Sequence, residues 1–275
     1  MPTTLTAVSS SKTAARRPTV EAITRVLDRL ATTREATLPD GRVRSIDPFA
    51  VTSAAGQVLE HAAQAAPPGP VIEVGCASGM STLHISRGRL SAGLLDGPSG
   101  LRAIDPKQTT HWDSIGRMHL QQAGLGDVVS IDERPAHAVL PELLAQGLRV
   151  SFAFLDGWHM LDYAMIESFY VDLMLDVGGV IALHDLWMPG LQQFACFWLT
   201  NREYEAVTIG FKDSGGPHLV PVPCESTHRE VGDLLHTPRI FTDRVLPFVD
   251  HSVLLMRKRD DDRRKWDDFW PYTGA

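Results

Sequence analysis

Cysteine is scarce in this chain: three thiols, Cys76, Cys196 and Cys224, in 275 residues. An odd, widely spaced set excludes a disulfide framework and any zinc spacing, and it fits a reducing cytoplasm. Long apolar runs are missing too, so no stretch reads as a membrane span. Positive charge is in deficit. The formal net charge is -7, and the basic residues are mostly arginine. A general nucleic-acid binder, which needs a basic face, is thereby excluded. No internal repeat is visible. What is left, 44% hydrophobic and 21% charged residues, is the composition of an ordinary soluble globular protein. The length suffices for one large domain or for a core with a cap.

The first 18 residues are rich in Ser, Thr and Ala and lack the apolar centre of a signal peptide, so a disordered tail is expected there. Apolar residues at helical spacing predict a helix from Val20. LPDGRVRSIDPFA follows as a turn-rich connector. TSAAGQVLEHAAQAA predicts a second helix from Thr52, stopped by Pro67, Pro68 and Gly69. Residues 19–66 thus read as an N-terminal helical cap. Beyond them short apolar runs alternate with helical stretches: VIEVG, LRAID, VVSID, VSFAFLD and GGVIALHD. Near-continuous apolar strands separated by helices predict an α/β fold, a doubly wound parallel sheet covered on both faces. EYEAVTIGF and HSVLLMRK are also strand-like. The core is expected over 67–257, with a polar loop at about 212–247 serving as a lid. Residues 258–275, with RRKWDDFWPYTGA, form a C-terminal tail that docks another subunit or acts as a lid.

VIEVGCASGMST, from Val71, carries the most information. An acid, Glu73, lies inside the apolar strand, where an unpaired charge is costly. A loop of small residues follows: Gly75, Cys76, Ala77, Ser78 and Gly79. In doubly wound sheets ligands bind beyond the carboxyl ends of the strands, and a glycine turn lets the backbone approach them. A dinucleotide fingerprint would place its glycines differently and would not need Glu73. The acid suits a ligand bearing an amine, and it can also accept the loop's backbone N–H groups. Thirty-two positions on, Asp105 ends the second strand, where an acid can grip ribose hydroxyls. A ribose, an amine and no pyrophosphate describe S-adenosylmethionine.

With these residues the chain resembles the class I S-adenosylmethionine-dependent methyltransferases, over roughly Thr52 to Gly190. The family's acid-x-Gly-x-Gly-x-Gly loop is present with Ala77 for the middle glycine, a mild change where φ is negative. The longer spacing to Asp105 places a loop insertion near LSAGLLDGPSG. The resemblance implies a Rossmann-like methyltransferase sheet. It implies cofactor contacts from Glu73, Gly75, Cys76, Ala77, Gly79, Ser81 and Asp105. Arg134 and Ala136, in the loop after the third strand, fall where the family lines the adenine. Trp158 covers adenine or substrate, or serves as a packing anchor.

FLDGWHMLDY puts Asp156 at the end of the fourth strand and His159 three residues later. The fifth strand ends in His184-Asp185. The pattern looks like a subgroup of the family that methylates hydroxyls of natural products and sugars. In that subgroup an Asp-x-x-His follows the fourth strand and an acid–Asp pair follows the fifth. Carried over, Asp156 and Asp185 match metal ligands and Asp156 also borders the cofactor. His159 matches the base. His184 stands in place of the first acid of the pair and removes one hard anionic oxygen. Magnesium or manganese is the metal implied. The plainer readings make Asp156 and Asp185 helix caps and His159 an exposed loop residue.

The expectation is a cytoplasmic O-methyltransferase acting on a small-molecule hydroxyl, a secondary metabolite or sugar, as a homo-oligomer without nucleic-acid or membrane partners. Two alternatives stand beside it. One is an N- or C-methyltransferase or a cofactor-dependent cyclase on the same fold. The other is a non-catalytic cofactor-binding partner subunit.

Overall fold

The apolar runs lie side by side as strands of one sheet. The structure, a computed structural model, describes residues 17–95, 97, 100–213, 215–223, 246 and 248–265. The core strands are β3 (Val71–Val74), β4 (Leu101–Ile104), β5 (Val129–Asp132), β6 (Val150–Leu155) and β7 (Leu175–Leu183). They pair in parallel in the order β5-β4-β3-β6-β7. Every residue of β3 and β6 is buried, as strands covered on both faces require. The chain reverses direction across the sheet between β3 and β6, so the loops leaving these two strands open at a topological switch point.

Three more strands complete the sheet: β8 (Tyr204–Phe211), β9 (Pro217–Pro221) and β10 (Leu254–Lys258). β10 inserts antiparallel between β7 and β8, and β9 closes the edge on β8. β9 corrects the expectation of a loop from about 212, because the alternating residues of Pro217–Pro221 complete the ladder of β8. Most of the expected lid lies outside the described residues, as do residues 1–16 and 266–275 of the two expected tails. The C-terminal boundary also shifts: Lys258 belongs to β10. It is buried, and its ammonium donates to the carbonyls of Asp172 and Leu175, which ties this strand to the helix before β7.

Helices cover both faces. α1 (Val20–Thr33) and α2 (Ser53–Ala65) start where Thr19 and Thr52 accept the N–H groups of Ala22 and Ala55, two threonine N-caps. Between them the turn-rich connector forms a hairpin of β1 (Glu35–Thr37) and β2 (Val43–Ser45). The buried side chains of α1 and α2 share one apolar cluster with α3 (Met80–Ser91), α4 (Ile115–Gln122) and one face of the sheet. α5 (Ala136–Ala145), α6 (Leu161–Met174) and α7 (Pro189–Asn201) cover the other face. Among the described residues no helix is long and apolar enough to cross a membrane.

Candidate active site

The loops after β3, β4, β6 and β7 meet at one rim. After β3 the chain turns sharply at Gly75, whose φ is +91°. A Cβ there would stand 2.2 Å from the carbonyl oxygen of Asp156, so this position joins the loops after β3 and β6 in backbone contact. Gly79, at φ +82°, begins α3. Ala77 adopts φ +43°. The expected negative φ is thus overturned. This residue sits in the left-handed region that favours glycine, and its Cβ makes the conformation strained.

One expected role passes from Glu73 to Asp105. Glu73 was expected to hold the backbone N–H groups of the loop; it accepts instead from the hydroxyl of Ser81, and its Oε2 is buried with no hydrogen-bond partner. Burial pushes its carboxyl up to about 8, with Ser81 opposing. Asp105 holds the loop: its Oδ2 accepts the Ala77 N–H at 2.7 Å, and its Oδ1 accepts the Lys107 N–H at 2.9 Å. A β4 acid reaches the loop because β3 and β4 are neighbours in register, with Val74 opposite Ile104. Cys76 is buried with its sulfur 3.4 Å from Thr82 Oγ1, and burial pushes its thiol well up. It therefore acts as a small buried wall residue rather than a nucleophile.

Four side chains converge on the other half of the rim. His159 Nε2 and His184 Nδ1 each lie 3.0 Å from Asp156 Oδ1. Asp185 approaches both, at 3.4 Å from His159 and 3.5 Å from His184. For Asp156, burial alone would raise the carboxyl, but the hydrogen bonds from the two imidazoles outweigh it and hold the group at about 2. For both imidazoles burial lowers the affinity for a proton, and the bond to Asp156 more than reverses that, so both are raised above the usual histidine value. Asp156, His184 and Asp185 each offer a ligand atom, and these atoms lie within 4.8 Å of one another.

The capping alternatives do not hold. Met160 and Met188 occupy the N-cap positions of α6 and α7, neither with a side-chain cap, so Asp156 and Asp185 are left to the cluster. His159 and Asp185 both have positive φ, +54° and +56°. Strained non-glycine backbone thus stands in each of the loops after β3, β6 and β7, and such strain concentrates at functional sites.

The remaining expected residues stand after β5 and β6. Trp158 is half exposed, and the Lys107 ammonium lies 4.4 Å from its ring centroid, which bridges the loops after β4 and β6. Arg134 turns to Asp132 and Glu142, its polar partners among the described residues, and Ala136 is buried at the start of α5.

Five contributors carry no pattern in the sequence. Trp187, half exposed, donates its indole N–H to Asp185 Oδ1. Glu167, buried on α6, lies beneath Gly157, where a Cβ would stand 3.0 Å from its Oε1; burial pushes this carboxyl up to about 7. Gln108, His119 and Gly116 lie against the loop after β3. The position of Trp187, two residues past Asp185, is the one local signal among them.

Residues 72–186 match a family model described as a methyltransferase domain. A sequence comparison with curated proteins finds no match. Among solved structures, the O-methyltransferase from Bacillus cereus in complex with SAH is 16% identical, with 78% of this chain and 94% of that one covered at a TM-score of 0.52. The O-methyltransferase TomG from Streptomyces achromogenes, involved in tomaymycin synthesis and solved with SAM, is 15% identical over 91% of this chain and 94% of its own, at 0.51. A SAM-dependent O-methyltransferase from Thermotoga maritima is 15% identical over 87% and 72%, at 0.51. At such identities the likeness is one of fold. The matched stretch contains both halves of the rim, and the chain shares its fold with these S-adenosylmethionine-dependent O-methyltransferases.

Proposed function

We propose that this chain is an S-adenosylmethionine-dependent O-methyltransferase acting on a hydroxyl of a small molecule, a secondary metabolite or a sugar, with His159 as the base. The convergence of His159 and His184 on Asp156, beside Asp185 and in backbone contact with the glycine loop, carries the reading. O-methyltransferases among the structures of similar fold support it.

When bound, S-adenosylmethionine supplies a methyl group on a sulfonium, open to attack by oxygen. The chain fits that ligand. The unpartnered Glu73 Oε2 is the acceptor assigned to the amino group, Asp105 at the end of β4 is assigned to the ribose, and Gly75, Cys76, Ala77 and Gly79 form the turn beneath, with Ser81 at the start of α3. Trp158, Arg134 and Ala136 border the adenine side. His159 donates Nε2–H to Asp156, which leaves Nδ1 as the lone pair that takes the proton of the acceptor hydroxyl. Asp156 then stabilises the imidazolium. Alignment of the two reactants lowers the barrier further.

Asp156, His184 and Asp185 fit a divalent ion, provided His184 Nδ1 presents its lone pair in place of its proton. The nitrogen donor favours manganese over magnesium. Such an ion would lower the pKa of the acceptor hydroxyl.

Methyl transfer to a panel of hydroxylated small molecules tests the reading. His159→Ala should cut turnover by about 10²–10⁴-fold, the range for a general base. Affinity for S-adenosylhomocysteine should be retained. A near-wild-type rate removes His159 from the mechanism. Chelation should suppress turnover and manganese restore it; full activity after exhaustive chelation removes the metal and leaves the methyltransferase.

A further inference from the structure

The loop after β3 is held in a conformation its sequence resists. Ala77 has φ +43°, where a Cβ is unfavourable. Both of its backbone polar groups are taken by side chains from one short segment after β4. Its N–H donates to Asp105 Oδ2 at 2.7 Å, and its carbonyl accepts from Gln108 Nε2 at 2.7 Å. Gln108 Nε2 also lies 3.2 Å from Asp105 Oδ2, which closes a three-membered ring of contacts. The next carbonyl, of Ser78, accepts from His119 Nδ1 at 2.8 Å. Gly116 makes room for this arrangement: a Cβ there would stand 2.7 Å from the Ala77 oxygen and 3.0 Å from the Gln108 amide. Gln108 is fully buried, so it acts on a ligand only through the loop.

We propose that Gln108 is a positioning residue for the cofactor cradle. With Asp105 it clamps Ala77 in the left-handed conformation that a glycine would adopt unaided. The inference rests on the methyltransferase reading, because the cofactor is the ligand of that cradle. Its physical content is a population shift. Without the clamp an alanine returns to negative φ, the turn opens, and the binding-competent loop becomes a minor state.

Calorimetry with S-adenosylhomocysteine tests this without a methyl acceptor. No binding to the wild type would overturn the methyltransferase reading, and the clamp with it. With wild-type binding established, Gln108→Ala should weaken affinity about tenfold, the usual consequence of losing a hydrogen bond to a charged group together with the loop's order. In an Ala77→Gly background the same substitution should cost less than about threefold, because glycine populates positive φ freely. Equal losses in the two backgrounds, or no loss, overturn the clamp alone. A residue that merely supports the fold would lower Tm equally in both backgrounds and leave the affinity of the folded protein unchanged. Where Gln108→Ala fails to fold, Gln108→Met keeps the volume and removes both amide atoms, and the same comparison applies. Failure of both substitutions to fold in either background makes Gln108 a fold residue and overturns the positioning role.

Discussion

Glu73 and Asp156 are carried by neighbouring strands of one rim, yet their surroundings push them in opposite directions, to about 8 and about 2. Glu73 lies in the apolar strand with a hydroxyl for company, and burial dominates. Asp156 receives hydrogen bonds from two imidazoles, and they overcome burial. Under the proposed function, two carboxylates with separated proton affinities divide cofactor binding from proton transfer. The half of the rim after β3 and β4 is braced through its backbone by buried side chains, as the proposed cofactor cradle requires. The half after β6 and β7 is partly open and carries charge, as the proposed proton transfer requires.

Gly75→Ala should break both halves at once, since it drives a Cβ into the Asp156 carbonyl and strains φ. Affinity for S-adenosylhomocysteine should fall by roughly 100-fold or more, by calorimetry on a variant checked by circular dichroism. Unchanged binding would mean the two loops are not joined there. Asp105→Ala addresses the cradle alone and should weaken S-adenosylhomocysteine by roughly tenfold or more. A variant that binds like the wild type would strip Asp105 of its cofactor role. Asp185→Asn addresses the chemical half alone. The manganese concentration for half-maximal turnover should rise by about tenfold, with little change in Tm. An unaltered manganese response would take Asp185 out of the ligand set.

The smallest effect sharpens the contrast through stability. The carboxyl of Glu73 is raised in the fold, so the folded state holds a proton that the unfolded chain releases above the ordinary glutamate value of 4.5. Its contribution is fully present below that value and is lost as pH rises towards about 8. Glu73→Gln should flatten the fall in Tm between pH 5 and 8. Thermal unfolding across that window, without ligand, decides it; parallel curves for wild type and variant would show that Glu73 is ionised throughout.

Much of this was legible in the chain. The five core strands announced themselves as apolar runs because both faces of a parallel sheet are covered. The first two helices were legible from their apolar spacing, while the capping roles of Thr19 and Thr52 emerged only in the structure. The cluster of Asp156, His159, His184 and Asp185 was readable because strand ends of a parallel sheet share one rim. The β9 strand was not, since its Gly- and Pro-flanked residues resemble a loop until β8 pairs with them. Arg134, placed by its loop, turned to Asp132 and Glu142 because nearby carboxylates offer it fork-shaped hydrogen bonds.

The sequence by itself determined the alternation of strand and helix, the small-residue turn after Glu73, and which acids and imidazoles stand at strand ends. These follow from periodicity and residue type, which act over a few neighbouring positions. Tertiary structure alone decided that Asp105 rather than Glu73 holds the loop, that Gln108 and His119 brace it, and that Ala77 adopts a glycine conformation. Those outcomes depend on contacts between segments 28 to 41 positions apart. A backbone torsion there is set by the packing of neighbouring strands and by which buried groups find partners, and no local pattern records that.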